Sequence, residues 1–289
     1  MIPSYSIDIF PRLFHFKKPA GTSRGVYTER RSWYVRVASA ACPGREGWGE
    51  CAPLPQLSVD DLPDYEGVLR GICAEVARTG QVDTERWREY PSMLFGLETA
   101  LRHLERGTYA LWDTPFSRGE EGICINGLIW MGDHDAMYRQ IREKLEADFR
   151  SVKLKIGAIG REVALDLLRF IRRHFPAREV ELRVDANGAF APAEALDKLK
   201  RLAELDLHSI EQPIRAGQWD EMAGLTSVSP LPIAFDEELI GHCSLEAKRR
   251  LLDALHPQYI VLKPSLHGGY SGCRDWLELA EKRIVGWWI

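Results

Sequence analysis

Between Ser151 and Ser265, short apolar runs recur at nearly equal intervals, and each carries a charged residue at or near its end. They are Val152-Lys153-Leu154-Lys155-Ile156, Leu182-Arg183-Val184-Asp185-Ala186-Asn187, His208-Ser209-Ile210-Glu211-Gln212-Pro213, Pro232-Ile233-Ala234-Phe235-Asp236-Glu237 and Tyr259-Ile260-Val261-Leu262-Lys263-Pro264. Lys155 precedes Asp185 by 30 positions, Glu211 follows 26 later, Asp236 25 later and Lys263 27 later, with a helix-periodic segment in each gap. An eight-unit β/α barrel of about 250 residues allots roughly 30 residues to each unit. The spacing therefore predicts one β/α unit per charge. Charges repeated at strand ends in that architecture converge on one face, where barrel enzymes carry out their chemistry.

Residues 1–118 follow a different pattern. Ser6–Phe10 and Ser32–Val37 alternate like half-buried strands, and Gly47–Pro53 reads as a third strand running into a loop. The glycines of Pro19–Gly25 suit a mobile loop between the first two. Helical periodicity follows over roughly Leu62–Arg78 and Ser92–Glu105. Strands followed by helices, without alternation, predict an α+β domain over 1–118, separate from a (β/α) barrel domain over 119–289. Barrel strands begin at Ile123–Trp130, and helices are expected at His134–Ala147, Arg161–His174, Ala193–Leu205, Ser244–Leu255 with Ser244 as cap, and Arg274–Glu281. A seventh strand occupies Ile284–Ile289. A closed barrel of this type needs eight.

Both signs of charge are scattered along the chain, the net charge is -4, and no basic stripe is present, so nothing points to nucleic acid. Six cysteines without CxxC spacing, in a chain too large to need disulfides, read as reduced thiols. No leader pattern and no run of about 18 apolar residues occurs, so a soluble cytoplasmic protein without membrane partners is expected. The sequence leaves an oligomer open.

Asp185, Glu211 and Asp236 end three consecutive strands. Three hard oxygen donors around one point, with room for water and substrate, describe a Mg²⁺ site. Lys153 and Lys155 lie two apart and leave one strand face. A free lysine is protonated near neutrality, and a neighbouring ammonium that disfavours the charged form prepares it for proton abstraction. Lys263, four strands on, would face Lys155 across the mouth. Two lysines opposed over a metal suggest abstraction of a proton next to a carboxylate. Trp33, Trp48, Trp287 and Trp288 are candidates for pocket walls, although aromatic residues in strands are more often core. Gly268-Gly269 is too little for a phosphate site, and the histidines show no metal-ligand spacing.

Taken together, Lys153-Leu154-Lys155, Asp185-Ala186-Asn187, Glu211-Gln212-Pro213, Asp236-Glu237 and Lys263 resemble the enolase superfamily, in its muconate-lactonizing subgroup. Gly47–Pro55 is similar to the family's capping-domain segment. Ile125–Gly132, Leu262–Gly269 and Gly286–Ile289 look most like o-succinylbenzoate synthases of menaquinone biosynthesis, of the Bacteroidetes type. The resemblance implies an enolase-type α+β capping domain on a (β/α)7β-like TIM barrel, with the final helix and strand lacking here because the chain is truncated relative to the family. It implies a Mg²⁺-dependent lyase, with Mn²⁺ an alternative ion, acting on a small-molecule carboxylate. Lys155 would be the base and then the acid, and Lys153 would bind the substrate carboxylate and depress the Lys155 pKa. Lys263 would stabilise the intermediate, while Asp185, Glu211 and Asp236 hold the metal with Asn187 in support. Segments around Gly21–Gly25 and Leu54–Leu57 would close over the substrate. An N-acylamino acid racemase or dipeptide epimerase of the same subgroup would use Lys155 and Lys263 as opposed acid and base. A non-catalytic truncated remnant is the reading from another class.

Overall fold

The computed structural model describes residues 4–22, 25–130, 132–157 and 159–289. In the N-terminal part, β1 (Tyr5–Thr22) pairs antiparallel with β2 (Gly25–Ser39), and β2 with β3 (Glu46–Cys51). Alternation drives the sheet: Trp33, Val35 and Val37 turn inward, while Tyr34 and Arg36 lie toward solvent. The inward face packs on α1 (Tyr65–Thr79), which Asp64 caps by accepting from the Gly67 amide, and on α2 (Pro91–Arg106), which starts at a proline. Proline suits a helix's first turn because its missing N–H had no intrahelical partner there.

This hairpin is longer than its sequence suggests. The arms stay paired through Ala20–Tyr27, Gly21–Val26 and Thr22–Gly25 after a register shift between His15 and Ala20. The predicted loop over Pro19–Gly25 is thus mostly strand, and Ser23 and Arg24 lie outside the described residues.

The second part is a parallel sheet of seven strands in sequence order: β4 (Asn126–Ile129), β5 (Ser151–Lys155), β6 (Glu181–Asp185), β7 (Ser209–Glu211), β8 (Ile233–Phe235), β9 (Tyr259–Val261) and β10 (Gly286–Trp288). Six helices connect them: α3 (His134–Glu146), α4 (Arg161–His174), α5 (Pro192–Ala203), α6 (Trp219–Val228), α7 (Leu245–Leu255) and α8 (Gly269–Glu281). Sequential parallel order with a helix in every crossover makes a half-barrel, and among the described residues β4 and β10 remain its edges. Val152, Leu154, Leu182, Val184, Ile210, Ile233 and Ile260 pack with the apolar stripes of the helices in one core. That core is separate from the one under the N-terminal sheet.

Local signals placed most helix starts. Ser244 accepts from the Ala247 amide, Asp133 from the Ala136 amide, and Pro192 opens α5. Several boundaries differ from expectation: β10 is shorter than Ile284–Ile289, α1 starts three residues after Leu62, and two others have a visible cause. The first barrel strand is confined to Asn126–Ile129, because Ile123 and Ile125 lie on the surface instead of against a helix. The last helix begins at Gly269, five residues before Arg274, for a reason given below. All six cysteines are free thiols, and no helix among the described residues is long and apolar enough to cross a membrane.

Candidate active site

Parallel register puts Lys155 opposite Asp185, and Asp185 opposite Glu211. Adjacent strands lie about 4.8 Å apart, so these side chains form one row. Glu211 pairs with Ala234, two residues before Asp236, and Ala234 pairs with Tyr259, four residues before Lys263. Residues two apart share a face, so Asp236 and Lys263 join the row while stepping progressively further along their strands. That stagger is what a curling barrel wall requires.

The row is a chain of ion pairs. Lys155 Nζ donates to Asp185 Oδ2 at 2.9 Å and to Asn187 Oδ1 at 3.1 Å. Lys153 Nζ donates to Glu211 Oε2 at 2.5 Å and lies 3.4 Å from the same Asp185 oxygen. Asp185 Oδ2 therefore sits between the two ammonium groups and offsets their repulsion. Lys263 Nζ donates to Asp236 Oδ2. Asn187, in the left-handed region at φ 46°, donates its backbone amide to Asp185 Oδ1 at 2.9 Å and its Nδ2 to Glu237 Oε1 at 3.1 Å. All seven residues singled out in the sequence thus meet at the C-terminal ends of β5 to β9.

The electrostatics follow from burial. The side chains of Asp185, Glu211 and Asp236 are 1%, 3% and 4% exposed, whereas that of Lys263 is 40% exposed. Burial raises the Glu211 carboxyl and Asp185 raises it further, with Lys153 opposing. For Lys153 burial acts to lower the pKa, but Glu211 and Asp185 outweigh it and hold the ammonium charged. Burial likewise works to raise Asp236, and Lys263 overrides it, so that carboxylate is held below its ordinary range. Burial lowers Lys263 while Asp236 and Glu211 raise it, with a net rise. Its half-buried side chain leaves solvent to screen part of that pairing.

Each of Glu211, Asp236 and Glu237 also keeps one buried carboxylate oxygen without a hydrogen-bond partner: Oε1, Oδ1 and Oε2. Leaving such oxygens unpaired is costly. A hard divalent cation seeks this kind of donor, with waters completing its shell. The donor chemistry therefore fits Mg²⁺. With the lysines drawn in, no three of the described His, Cys, Asp or Glu residues converge as a ready-made cage.

Of the four tryptophans offered as pocket walls, Trp33 follows the core alternative. Trp33 stacks on Tyr65 in the N-terminal core, Trp48 lies against Phe10, Trp287 is largely exposed, and Trp288 sits with Tyr259, His208 and Arg183. The aromatic at the site is Trp130, whose ring lies 5.7 Å from Lys155 Nζ. Its position just after β4, the strand next to β5, was the available signal. Glu237 was quoted only as the neighbour of Asp236, yet it anchors Asn187. The hairpin and the Leu54–Leu57 turn meet directly, since Tyr27 Oη donates to Pro55 O at 2.9 Å.

Comparison with known proteins agrees with this geometry. Residues 136–289 match the family Enolase C-terminal domain-like, and residues 22–104 match MenC, N-terminal domain. The o-succinylbenzoate synthase of Desulfotalea psychrophila is 44% identical over 95% of this chain and 82% of its own length. The crystal structure of MenC from that organism superposes with a TM-score of 0.78 at 38% identity, covering 100% of this chain and 86% of the other. The N-succinylamino acid racemase of Thermus thermophilus is 33% identical over 96% of this chain and 74% of its own. The o-succinylbenzoate synthase structure from Thermosynechococcus elongatus, complexed with Mg in the active site, gives a TM-score of 0.75 at 23% identity over 95% of this chain and 80% of that one. At that identity the likeness shows the fold alone. The family matches over both parts and the 44% identity across nearly the whole chain show that this protein belongs to the enolase superfamily and, within it, to the o-succinylbenzoate synthase family.

Proposed function

We propose that the chain is an o-succinylbenzoate synthase of menaquinone biosynthesis, a cytoplasmic hydro-lyase that dehydrates 2-succinyl-6-hydroxy-2,4-cyclohexadiene-1-carboxylate to o-succinylbenzoate. The observation that carries the reading is the 44% identity to the Desulfotalea psychrophila synthase. Supporting it, two lysines on β5 share one face with a third beyond β9, across a floor of buried carboxylates. Dehydration next to a carboxylate needs a base for the α-proton, an acid for the departing hydroxide and positive charge against the developing anion.

Lys155 Nζ takes the α-proton and returns a proton to the leaving oxygen on the same face. Asn187 Oδ1, 3.1 Å away, orients that amine. Lys153 binds the substrate carboxylate and sets the charge beside the base. Lys263, whose side chain is 40% exposed, stabilises the anionic intermediate over the ring. Asp185, Glu211 and Asp236 would hold the Mg²⁺, which supplies positive charge when bound. Mn²⁺ meets the same oxygen-donor requirement. We assign residues 1–118 to a capping domain whose β1–β2 hairpin arms and Leu54–Leu57 turn exclude water, and 119–289 to the barrel part.

The test is loss of the cyclohexadiene's ultraviolet absorbance by the purified chain, with Mg²⁺ and then with chelator, and identification of the product. Metal-dependent loss with formation of succinylbenzoate is expected. Deuterium exchange into N-succinylamino acids with no dehydration would replace this reading with the racemase one, for which the 33% identical relative speaks.

A further inference from the structure

The turn that follows Lys263 is tied to the N-terminal part by one carboxylate. Glu98, on the outer side of α2, points at the start of α8, where its Oε2 accepts from the Tyr270 amide at 2.5 Å and from the Ser271 amide at 3.3 Å. Its Oε1 accepts from Ser271 N at 3.3 Å. The first amides of a helix have no intrahelical partner and are usually satisfied by a residue just before them. Here the adjacent residue, Gly268, has no side chain to offer, and the cap comes from 172 positions away. Gly269 is needed for the approach: a Cβ on it would stand 2.2 Å from Glu98 Oε2, and its φ is +68°. The paired glycines therefore leave room for an anion that the chain itself supplies. Around this contact Tyr270 packs edge-on against Phe95 and Trp112, and Thr99 Oγ1 reaches its hydroxyl at 3.3 Å.

From this cap to Lys263 the path is short and held by backbone hydrogen bonds. Gly269 N donates to Pro264 O at 2.8 Å, and Leu266 N and His267 N donate to Lys263 O at 2.8 and 3.1 Å. His267 Nδ1 accepts from the Lys263 amide at 3.0 Å, so the buried imidazole closes the turn on itself.

We propose that Glu98 is a positioning residue for Lys263: by capping α8 across the boundary between the two parts, it fixes the 263–271 turn and thereby the ammonium that faces Asp236. The role assigned to Lys263 rests on the function proposed above; the mechanical coupling does not. Seating of the capping part then sets the geometry of a charge on the barrel face.

The experiment compares the wild-type chain with Glu98→Gln and Glu98→Ala by hydrogen exchange, read by mass spectrometry over peptides spanning 262–272, and by steady-state kinetics with Mg²⁺ and the cyclohexadiene. Loss of a helix cap corresponds to roughly tenfold easier local opening. In Glu98→Ala, amides 263–271 should exchange about tenfold faster while strands β5 to β7 are unchanged. kcat should fall roughly tenfold with KM little altered. Glu98→Gln keeps one acceptor oxygen and should recover most of both. If Glu98→Ala does not fold, Gly269→Ala displaces the carboxylate by crowding and should give the same local signature. Unchanged exchange over 263–271, or acceleration spread evenly through the barrel, overturns the proposal. An inactive wild type whose turn still loosens in Glu98→Ala would refute the synthase reading and leave the coupling intact.

Discussion

Placing a methyl group at Gly49 tests how closely the N-terminal sheet and α2 approach. A Cβ built there would lie 1.9 Å from Gly96 O, 2.8 Å from Gly96 C and 3.0 Å from Ala100 N. The gap to that oxygen must widen from 1.9 Å to at least 3.4 Å, and every atom met is helix backbone that cannot swing aside. Overpacking of this kind costs about 1–3 kcal/mol, and rigid surroundings place it at the upper end. Replacing glycine also removes freedom from the unfolded chain, worth about 0.4–1 kcal/mol in the other direction. The net for Gly49→Ala is a loss of about 2 kcal/mol. At a urea slope of about 3 kcal/mol/M the unfolding midpoint falls by roughly 0.7 M. Gly71→Ala is the matched control. It lies mid-helix in α1 with nothing within 4 Å of its added methyl, and should gain up to about 1 kcal/mol by helix propensity. A Gly49→Ala midpoint equal to or above wild type would refute the close approach. Because α2 also carries Glu98, a helix shifted by the new methyl should loosen the Tyr270 and Ser271 amides as well.

Three further outcomes follow from the site and its support. Lys155→Ala should lower turnover by about 10²–10⁴, the span of general acid–base catalysis, and should also lower the thermal midpoint because buried Asp185 loses its 2.9 Å partner; a near-normal rate in the synthase assay would remove Lys155 as the base. Ser92→Ala strips a donor from buried Asp60 (2.6 Å) and the partner of the Tyr65 hydroxyl (2.7 Å), and should cost about 1.5–3 kcal/mol by denaturant titration; a cost under about 0.5 kcal/mol would mean water replaces the hydroxyl. Burial lowers the His267 pKa to about 3, so its neutral form contributes stability above its unfolded value of 6.5, and that contribution is lost as pH falls. From pH 7 to 5 the wild type should lose about 2 kcal/mol more than His267→Asn. Parallel pH profiles for the two would show that the imidazole is not buried as a neutral ring.

The site was legible in the sequence because parallel register converts spacing into proximity. Lys155, Asp185 and Glu211 end short buried strands that pair in register, so near-equal intervals of a helix plus a strand are enough to stack them in one row. Helices capped from within, such as α7 behind Ser244, were legible for the same local reason. Where the determinant is distant, the sequence is silent. Five residues of α8 escaped the reading because their cap sits on Glu98, and the Gly268-Gly269 pair was too little to read as a phosphate site, since the anion it receives is a side chain of another part.

The same distinction separates the lysines' charge from their setting. KxK on a strand puts two cations on one face, which suggested mutual repulsion. The fold instead inserts Asp185 Oδ2 between them and pairs Lys153 with Glu211. Buried charges persist only when compensated, so in this arrangement every carboxylate of the row has an ammonium and every ammonium a carboxylate. Unpaired oxygens on Glu211, Asp236 and Glu237 show that the compensation is incomplete on the acidic side. The balance is tipped toward one more positive charge. A cation at these oxygens would supply that charge, while the fold holds two of the lysines two residues apart on one strand and the third on a turn tied to Glu98.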